Sequence, residues 1–381
     1  MRLPPRVAHA IRTGPRPAYL YDLAAVRDNL AALSAALPAG TRIAYAMKAN
    51  GNDTLLRGVL RWADGLEAAS GAELTAAVAA GSPFTLLSGP AKTDDDLRAA
   101  AAAGAVVNAE SLHELRRIAH VAPGAKVCLR VNRSHPALPG THRMSGAPTQ
   151  FGIEEPQLAH AVTDAIDRIH IVGFHLHAVS NNLDAAAHAA FITDAVAWAT
   201  RAADTYSVPL DIINVGGGFG VDVTGAATFD LDTFAAGLTD LRLPAGSQLV
   251  VEPGRYAAAT AGWYAADVTD VKHTHGRWFA VIRGGTHHFR LPASWDYSHP
   301  FAVLPVDDWP YPFERPAVAG AHIDVAGEQC NPRDILARDA PVETVRAGDI
   351  LVFPNTGAYG WEVAHHDFLR LAHPAFTVLD C

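Results

Sequence analysis

Two hydrophobic patterns alternate along the chain from residue 23 to residue 252. The longer stretches repeat their apolar positions at helical spacing: Leu23–Leu37, then 53–62, 71–80, 93–103, 111–120, 155–168, 184–206 and 230–241. Short apolar runs lie between them at 42–47, 65–68, 85–87, 106–108, 127–131, 170–177, 211–215 and 248–252. Runs of this kind read as strands buried on both faces. Eight strands, each preceded by a helix, predict a parallel sheet, and eight such units over roughly 230 residues predict a (β/α)8 barrel. The interval 132–154, rich in Ser, His, Pro and Gly, reads as a loop over the barrel mouth.

Past residue 256 the pattern changes. Strand-like runs at Ala266–Val271, Trp278–Arg283, Ala317–Val325 and Ile350–Phe353 are joined by Gly, Pro and Asp turns, which predicts a β domain. The N-terminal residues end in a strand-like Ala18-Tyr19-Leu20-Tyr21 that is expected to add an edge to it. The expected division is therefore a barrel over 23–256 and a β domain built from 1–22 and 257–381.

Composition narrows the function. With 381 residues, 49% of them hydrophobic, the chain can fill two cores. A net charge of −9 with no basic run argues against nucleic acid as a partner. Cys128, Cys330 and Cys381 are too widely spaced for a disulfide framework or a zinc site. The uncharged stretch Leu74–Ala91 is broken by Gly81-Ser82-Pro83 and Ser88-Gly89-Pro90, so no membrane span is expected. No signal peptide is visible at the N-terminus, and a cytoplasmic protein is the expectation.

The first chemical candidate is Lys48, in Tyr45-Ala46-Met47-Lys48-Ala49-Asn50. Positive charge elsewhere is mostly arginine, which cannot lose its proton, whereas a desolvated lysine amine can attack a carbonyl and form a Schiff base. A strand-end lysine reaching to solvent fits these six residues equally well. The barrel separates the two readings, because chemistry in this fold sits at the C-terminal ends of the strands and phosphate often binds after strands seven and eight. Lys48 follows strand one, and Ser70-Gly71-Ala72-Glu73 follows strand two. Arg130 ends strand five, His175 and His177 end strand six, and Ser180 lies just beyond. Gly216-Gly217-Gly218-Phe219-Gly220 follows strand seven, and Glu252-Pro253-Gly254-Arg255 follows strand eight. The glycine run lacks dinucleotide spacing, because Val221 stands at its last position. A tight turn would explain it in isolation; after strand seven, an anion cradle is the better reading. His175 and His177, two apart on a strand, face one side, but no third metal ligand is nearby, so no metal is expected. An imidazole stacked on a flat ring, or a core histidine, remains. An amine, a phosphate loop and an acid on one rim suggest pyridoxal phosphate, with a carboxylate keeping the pyridine nitrogen protonated.

These residues resemble the fold-type III pyridoxal-phosphate decarboxylases of diaminopimelate, ornithine and arginine, whose fold is alanine racemase-like. The resemblance covers nearly the whole chain. Beyond the segments already quoted, it is carried by Gly173-Phe174-His175-Leu176-His177-Ala178-Val179-Ser180, Gly327-Glu328-Gln329-Cys330-Asn331-Pro332-Arg333-Asp334, Gly348-Asp349 and Gly357-Ala358-Tyr359. It implies that Lys48 holds the cofactor aldehyde as a Schiff base and His177 stacks on the ring. It implies that Ser180, Gly217, Gly218, Gly254, Arg255 and Tyr359 hold the phosphate and Glu252 pairs with the ring nitrogen. Arg130 would approach the ring hydroxyl, and Glu73 would join the network around His177. Cys330 would reprotonate the product from the partner subunit, making the protein a homodimer with shared sites. For Cys330 alone, a buried structural cysteine would be the plainer reading.

The chain departs from that family at the substrate end. Asn331 replaces the acid that meets the distal amine of a basic amino acid, Val179 and Gln150 replace a usual glycine and lysine, and an arginine-proline element survives loosely as Phe289-Arg290-Leu291-Pro292. The decarboxylases of siderophore assembly, which act on a diamino acid joined to citrate, are similar in 299–312 and in His365-His366-Asp367-Phe368-Leu369. A citryl group wants positive partners: Arg290, Arg143 and Arg333 are candidates beside Asn331, with Arg315, His142 and His287 also on loops. The expectation is decarboxylation of a citrate-conjugated diamino acid. Diaminopimelate decarboxylation is the alternative; racemisation, disfavoured by Glu252, and a non-enzymatic cofactor carrier, disfavoured by the β domain, rank lower.

Overall fold

A computed structural model describes residues 3–135, 138–165 and 167–380; Cys381 lies outside them. The chain divides into two compact units: one holds the residues up to 26, 223–225 and those from 258 onward, the other 27–222 and 226–257.

The second unit is a closed parallel barrel. Its strands are Arg42–Ala46, Gly65–Ala68, Thr85–Leu87, Val106–Ala109, Lys126–Asn132, His170–His175, Ile212–Asn214 and Gln248–Val251. Each pairs in parallel with the next, and the eighth returns to the first through Val250 opposite Arg42 and Val251 opposite Ile43. Burial on both faces explains the unbroken apolar runs. Ala44, Leu86, Val106, Cys128, Ile212 and Val250 pack into one cluster, so Cys128 is a core residue, and burial pushes its thiol well above the usual range. Helix starts are set by side-chain caps: Asn52, Ser70, Thr93, Ser111, Asp184 and Asp230 each accept hydrogen bonds from the first turn. The long loop is tied down in two places: Val179 and Ser180 pair antiparallel with Arg143 and His142, and Ile153 and Glu154 pair in parallel with Val131 and Asn132.

The other unit carries an eight-stranded, mostly antiparallel sheet. Ala18–Asp22 was expected at its edge but lies between two partners, antiparallel to Gly262–Thr274 and parallel to Ala375–Leu379. The helix Pro5–Thr13, absent from the sequence reading, seats Val7 and Ile11 against Leu20, Trp263 and Val352. Strands Ile335–Arg346 and Ala375–Leu379 were also missed. Among the described residues, no helix is long and apolar enough to cross a membrane, and no group of three ligating side chains could hold a metal.

One buried charge cluster ties the barrel wall together. Lys92, 5% exposed, donates from Nζ to the carbonyls of Gly89 (2.6 Å) and Asn108 (2.8 Å) and to Glu114 (3.0 Å). Glu114 in turn accepts from the Glu110 N–H at 2.7 Å. Lys92→Met leaves the buried Glu114 carboxylate without its cation and takes a donor from the Gly89 and Asn108 carbonyls. An expected loss of about 3–5 kcal/mol in urea unfolding follows; a loss under about 1 kcal/mol would show that the pair is not structurally required.

Candidate active site

The C-terminal ends of the barrel strands bring together most of the residues expected there. Lys48 lies in a single 3-10 turn, Met47–Ala49, directly after the first strand. Its Nζ contacts Glu67 Oε2, and Glu67 is buried on the second strand with its other oxygen unpartnered. Glu67 escaped the sequence reading; its signal was an acid inside a wholly buried four-residue strand. Glu73, in the first turn after Ser70, accepts from the Ala69 N–H at 2.6 Å. Burial raises the Glu73 carboxyl, with Glu67 adding to the shift, against the Ala69 hydrogen bond and Lys48.

Glu252, just after the eighth strand, is buried and accepts from Asn214 Nδ2 at 2.8 Å. Burial alone would raise its carboxyl; the facing His175, at 3.6 Å, with Lys48 and His177, outweighs that and holds it well below the ordinary range. Asn214 Oδ1 also accepts from the Gly216 N–H at 2.9 Å, so one amide couples the acid to the glycine loop. The sixth strand ends at His175, two residues earlier than the sequence suggests, yet the His175 and His177 rings remain near parallel with centroids 6.3 Å apart. His177 Nδ1 accepts from the Gly217 N–H at 3.2 Å. Burial, reinforced by Arg130, lowers its pKa well below the usual histidine range, so the ring is neutral near pH 7.

The glycine loop is shaped by lack of space. A Cβ on Gly217 would stand 2.3 Å from the Glu252 carbonyl oxygen, and Gly218, at φ +98°, would meet the Val179 carbonyl oxygen at 2.6 Å. Asn182, fully buried, clamps the loop from below: its N–H donates to the Gly218 carbonyl at 2.7 Å, and its carbonyl accepts from Gly220 at 2.8 Å. Ser180 is half-buried beside it. Gly254 packs on Ala46 and Ala49, and the buried Arg255 opens the turn Arg255–Ala258. Arg130, 6% exposed, pairs with Glu110 at 2.9 Å and lies over the Phe151 ring at 4.6 Å. This donor set fits pyridoxal phosphate: an amine next to a buried acid, a glycine cradle, a neutral flat imidazole and an ionised buried carboxylate lie on one rim. Arg143 and His142 are exposed on their short strand.

The remaining candidates belong to the sheet unit. Cys330 is exposed with a free thiol. Tyr359 is half-buried at φ +56°. A cavity of about 350 Å3 is lined by Asn331, Arg290 and Arg333, together with Gln329, Ser294 and His365, which the sequence did not single out for substrate. Two candidates are corrected. Arg315 is consumed by the carbonyls of Ala347 (2.6 Å) and Val306 (2.8 Å) and by Asp349 (3.1 Å). His287 is 2% exposed and bonded to Gln329 at 3.1 Å rather than displayed on an open loop.

Comparison with known proteins agrees with this geometry. A model of the pyridoxal-dependent decarboxylase pyridoxal-binding domain matches residues 23–259. The 2-[(L-alanin-3-ylcarbamoyl)methyl]-2-hydroxybutanedioate decarboxylase of Staphylococcus aureus is 36% identical over 95% of this chain and 93% of its own length. The diaminopimelate decarboxylase of Deinococcus radiodurans is 34% identical over 90% of this chain and 85% of its own. The diaminopimelate decarboxylase of Helicobacter pylori in complex with L-lysine superposes with a TM-score of 0.85 at 24% identity, covering 98% of this chain and 94% of that one. The last likeness supports the shared fold, a barrel joined to a β domain. A cofactor-binding match across the whole barrel and a relative aligned from end to end together assign this chain to the pyridoxal-dependent decarboxylase family.

Proposed function

We propose that this enzyme removes the α-carboxylate of an L-amino acid whose distal amine is already joined to citrate. The S. aureus relative's name describes such a compound, citrate linked through an amide to 2,3-diaminopropionate. The observation that carries the reading is the charge around Asn331: the cavity that it lines holds two guanidiniums and no carboxylate among its described lining residues. A free distal ammonium would be desolvated there without a partner, which is costly. An acylated nitrogen carries no charge, and the citryl carboxylates would be attracted. Diaminopimelate is the second reading, favoured by the D. radiodurans relative and by the distal carboxylate that Arg290 could meet.

Bound pyridoxal phosphate supplies the electron sink for the bond that breaks as carbon dioxide leaves. The residues of this chain do the rest. Lys48 Nζ would hold the cofactor aldehyde, with Glu67 against the amine and Glu73 within its electrostatic reach. Glu252, ionised by its surroundings, would keep a proton on the ring nitrogen. His177, neutral, would stack on the ring, and Arg130 would meet the ring hydroxyl. The N–H groups of Gly217, Gly218, Gly254 and Arg255, with Ser180 and Tyr359, would hold the phosphate. Cys330 Sγ returns a proton to the α-carbon from the partner subunit, so the working form is a homodimer. Its exposed thiol agrees with that role and with a reducing cytoplasm.

Three experiments test this. Release of carbon dioxide is measured from citryl-diaminopropionate, diaminopimelate and ornithine; the conjugate is expected to have a kcat/KM at least ~100-fold above the free diamino acids, about 3 kcal/mol of discrimination. Preference for a free diamino acid would sink the siderophore reading. Borohydride reduction of cofactor-loaded protein is expected to leave the cofactor mass on the peptide containing Lys48 and nothing on Lys48→Ala. Lys48→Ala and Cys330→Ala, each inactive, are expected to recover roughly a quarter of wild-type activity when their subunits are mixed, because half the hybrid sites are intact; no recovery would overturn the shared site.

A further inference from the structure

One buried histidine has no part in the chemistry assigned above. His188 lies in the opening turn of the helix Ala185–Tyr206 and is 1% exposed. Its ring stacks on Phe219, with centroids 4.5 Å apart and planes 21° from parallel. Phe191, Phe229 and Phe234 meet it edge-on, so it sits in an aromatic box. Burial pulls its pKa down to about 3, so the ring is neutral near pH 7.

A phenyl ring would fill such a box at lower cost. The tautomer shows what the imidazole adds. Asn182 Oδ1 accepts from the Asp184 N–H at 2.8 Å, which fixes the amide so that Nδ2 faces the ring. Nδ2 donates to the Asp184 carbonyl at 3.1 Å and to His188 Nδ1 at 3.3 Å. Nδ1 therefore accepts, and the ring proton is on Nε2. Nε2 is buried and, among the described residues, has no hydrogen-bond partner. A buried N–H left unpaired is destabilising. The chain carries that cost here and gains from it one acceptor for Asn182.

That acceptor matters because of what the Asn182 main chain holds. Its N–H donates to the Gly218 carbonyl at 2.7 Å, its carbonyl accepts from the Gly220 N–H at 2.8 Å, and it forms a single parallel bridge with Phe219. Phe219, between those two glycines, is also the ring on which His188 lies. The imidazole thus reaches one loop by two routes, through the Asn182 amide and through the Phe219 side chain. Its Cε1 edge faces Gly218, where a Cβ would stand 3.4 Å away. Glycine has the widest choice of backbone conformations. A loop with four glycines in the five residues 216–220 keeps one shape only where its surroundings impose it. N–H groups receive an anion well when they are held in place beforehand.

We propose that His188 is a positioning residue for the cofactor phosphate: by holding Asn182 and Phe219, it fixes the N–H groups of Gly217 and Gly218 in the conformation that receives the anion. It acts through those two residues and not on the cofactor. The inference rests on the reading of this loop as the phosphate cradle, and it is independent of which amino acid is decarboxylated.

Pyridoxal lacks the phosphate and otherwise matches the cofactor, so it separates the loop from the rest of the site. The loaded full-length protein is dialysed to equilibrium against graded pyridoxal phosphate or pyridoxal, and bound cofactor is read from its absorbance. The wild type is expected to hold pyridoxal phosphate at least ~100-fold more tightly than pyridoxal. His188→Phe keeps the box filled and removes the unpaired N–H. Its urea midpoint is expected at or above that of the wild type. Its preference for the phosphorylated compound is expected to fall at least ~10-fold, with pyridoxal affinity unchanged. His188→Asn restores an acceptor near the place of Nδ1 but underfills the box. Its midpoint is expected to fall, with the preference kept within about 3-fold of the wild type. Equal losses for both compounds, or a preference that follows the midpoint across the variants, would reduce His188 to a core residue and overturn the proposal. A strong wild-type preference retained in His188→Phe overturns the role of His188 alone. No preference in the wild type overturns the cradle, and this role with it.

Discussion

Everything at the active site depends on the closure of one parallel sheet. Pairing of Val250 with Arg42 and Val251 with Ile43 joins the eighth strand to the first. Because all eight strands run the same way, closure places every strand's C-terminal end on one rim. Residues as far apart in sequence as Lys48 and Glu252 thereby come to one rim, close enough for the lysine to favour the ionised acid. The join is reinforced where it matters, since the Ala46 N–H donates to the Pro253 carbonyl at 3.2 Å. The loops bearing Lys48 and Glu252 are thereby held together by backbone.

Charge is managed on that rim by pairing each buried ion with a group of opposite demand. Glu67 answers Lys48, Glu110 answers Arg130, and Glu114 answers Lys92. The desolvation cost of a buried carboxylate is met in each case by a cation. Glu252 is handled differently, with a histidine and an amide in place of a lysine or arginine. A carboxylate met by these groups keeps capacity to engage a protonated ring nitrogen, whereas a bidentate arginine would have consumed it. His177 is neutral for the opposite reason: burial and Arg130 expel its proton, and a neutral imidazole can lie against a cationic ring without repulsion.

The barrel was readable from the sequence because parallel strands buried on both faces leave continuous apolar runs, and a helix separates each from the next. The sheet unit was less readable. Ile335–Arg346 carries Arg338, Asp339, Glu343 and Pro341 on a strand with an irregularly exposed face, so its period-two signal is lost. The helix Pro5–Thr13 is short and gains its stability from Leu20 and Trp263, which no local pattern reports. At the site, the residues tied to a motif were found; those whose role depends on a distant partner were not. Glu67 gains meaning only from Lys48, and His365 only from Gln329, 36 residues away in sequence. Arg315 and His287 show the converse, since a positive residue on a loop reads as available until its partners are known.

The two free thiols among the described residues show how far environment rather than residue type sets chemistry. Cys128 is sealed in the barrel core, where burial, with the charges of Glu252 and Asp211, disfavours the thiolate, so it is an inert filler. Cys330 is exposed on a loop whose backbone is pinned by Asp334 through the neighbouring Gln329 N–H. A proton donor must be both reachable and fixed, and only the second cysteine meets both demands. Its neighbours on either side line the cavity with Arg290 and Arg333. One short segment, Gln329-Cys330-Asn331, therefore joins the proposed proton donor to the proposed reader of the distal group. A substitution there would be expected to alter substrate choice and turnover together, which couples the evolution of the two.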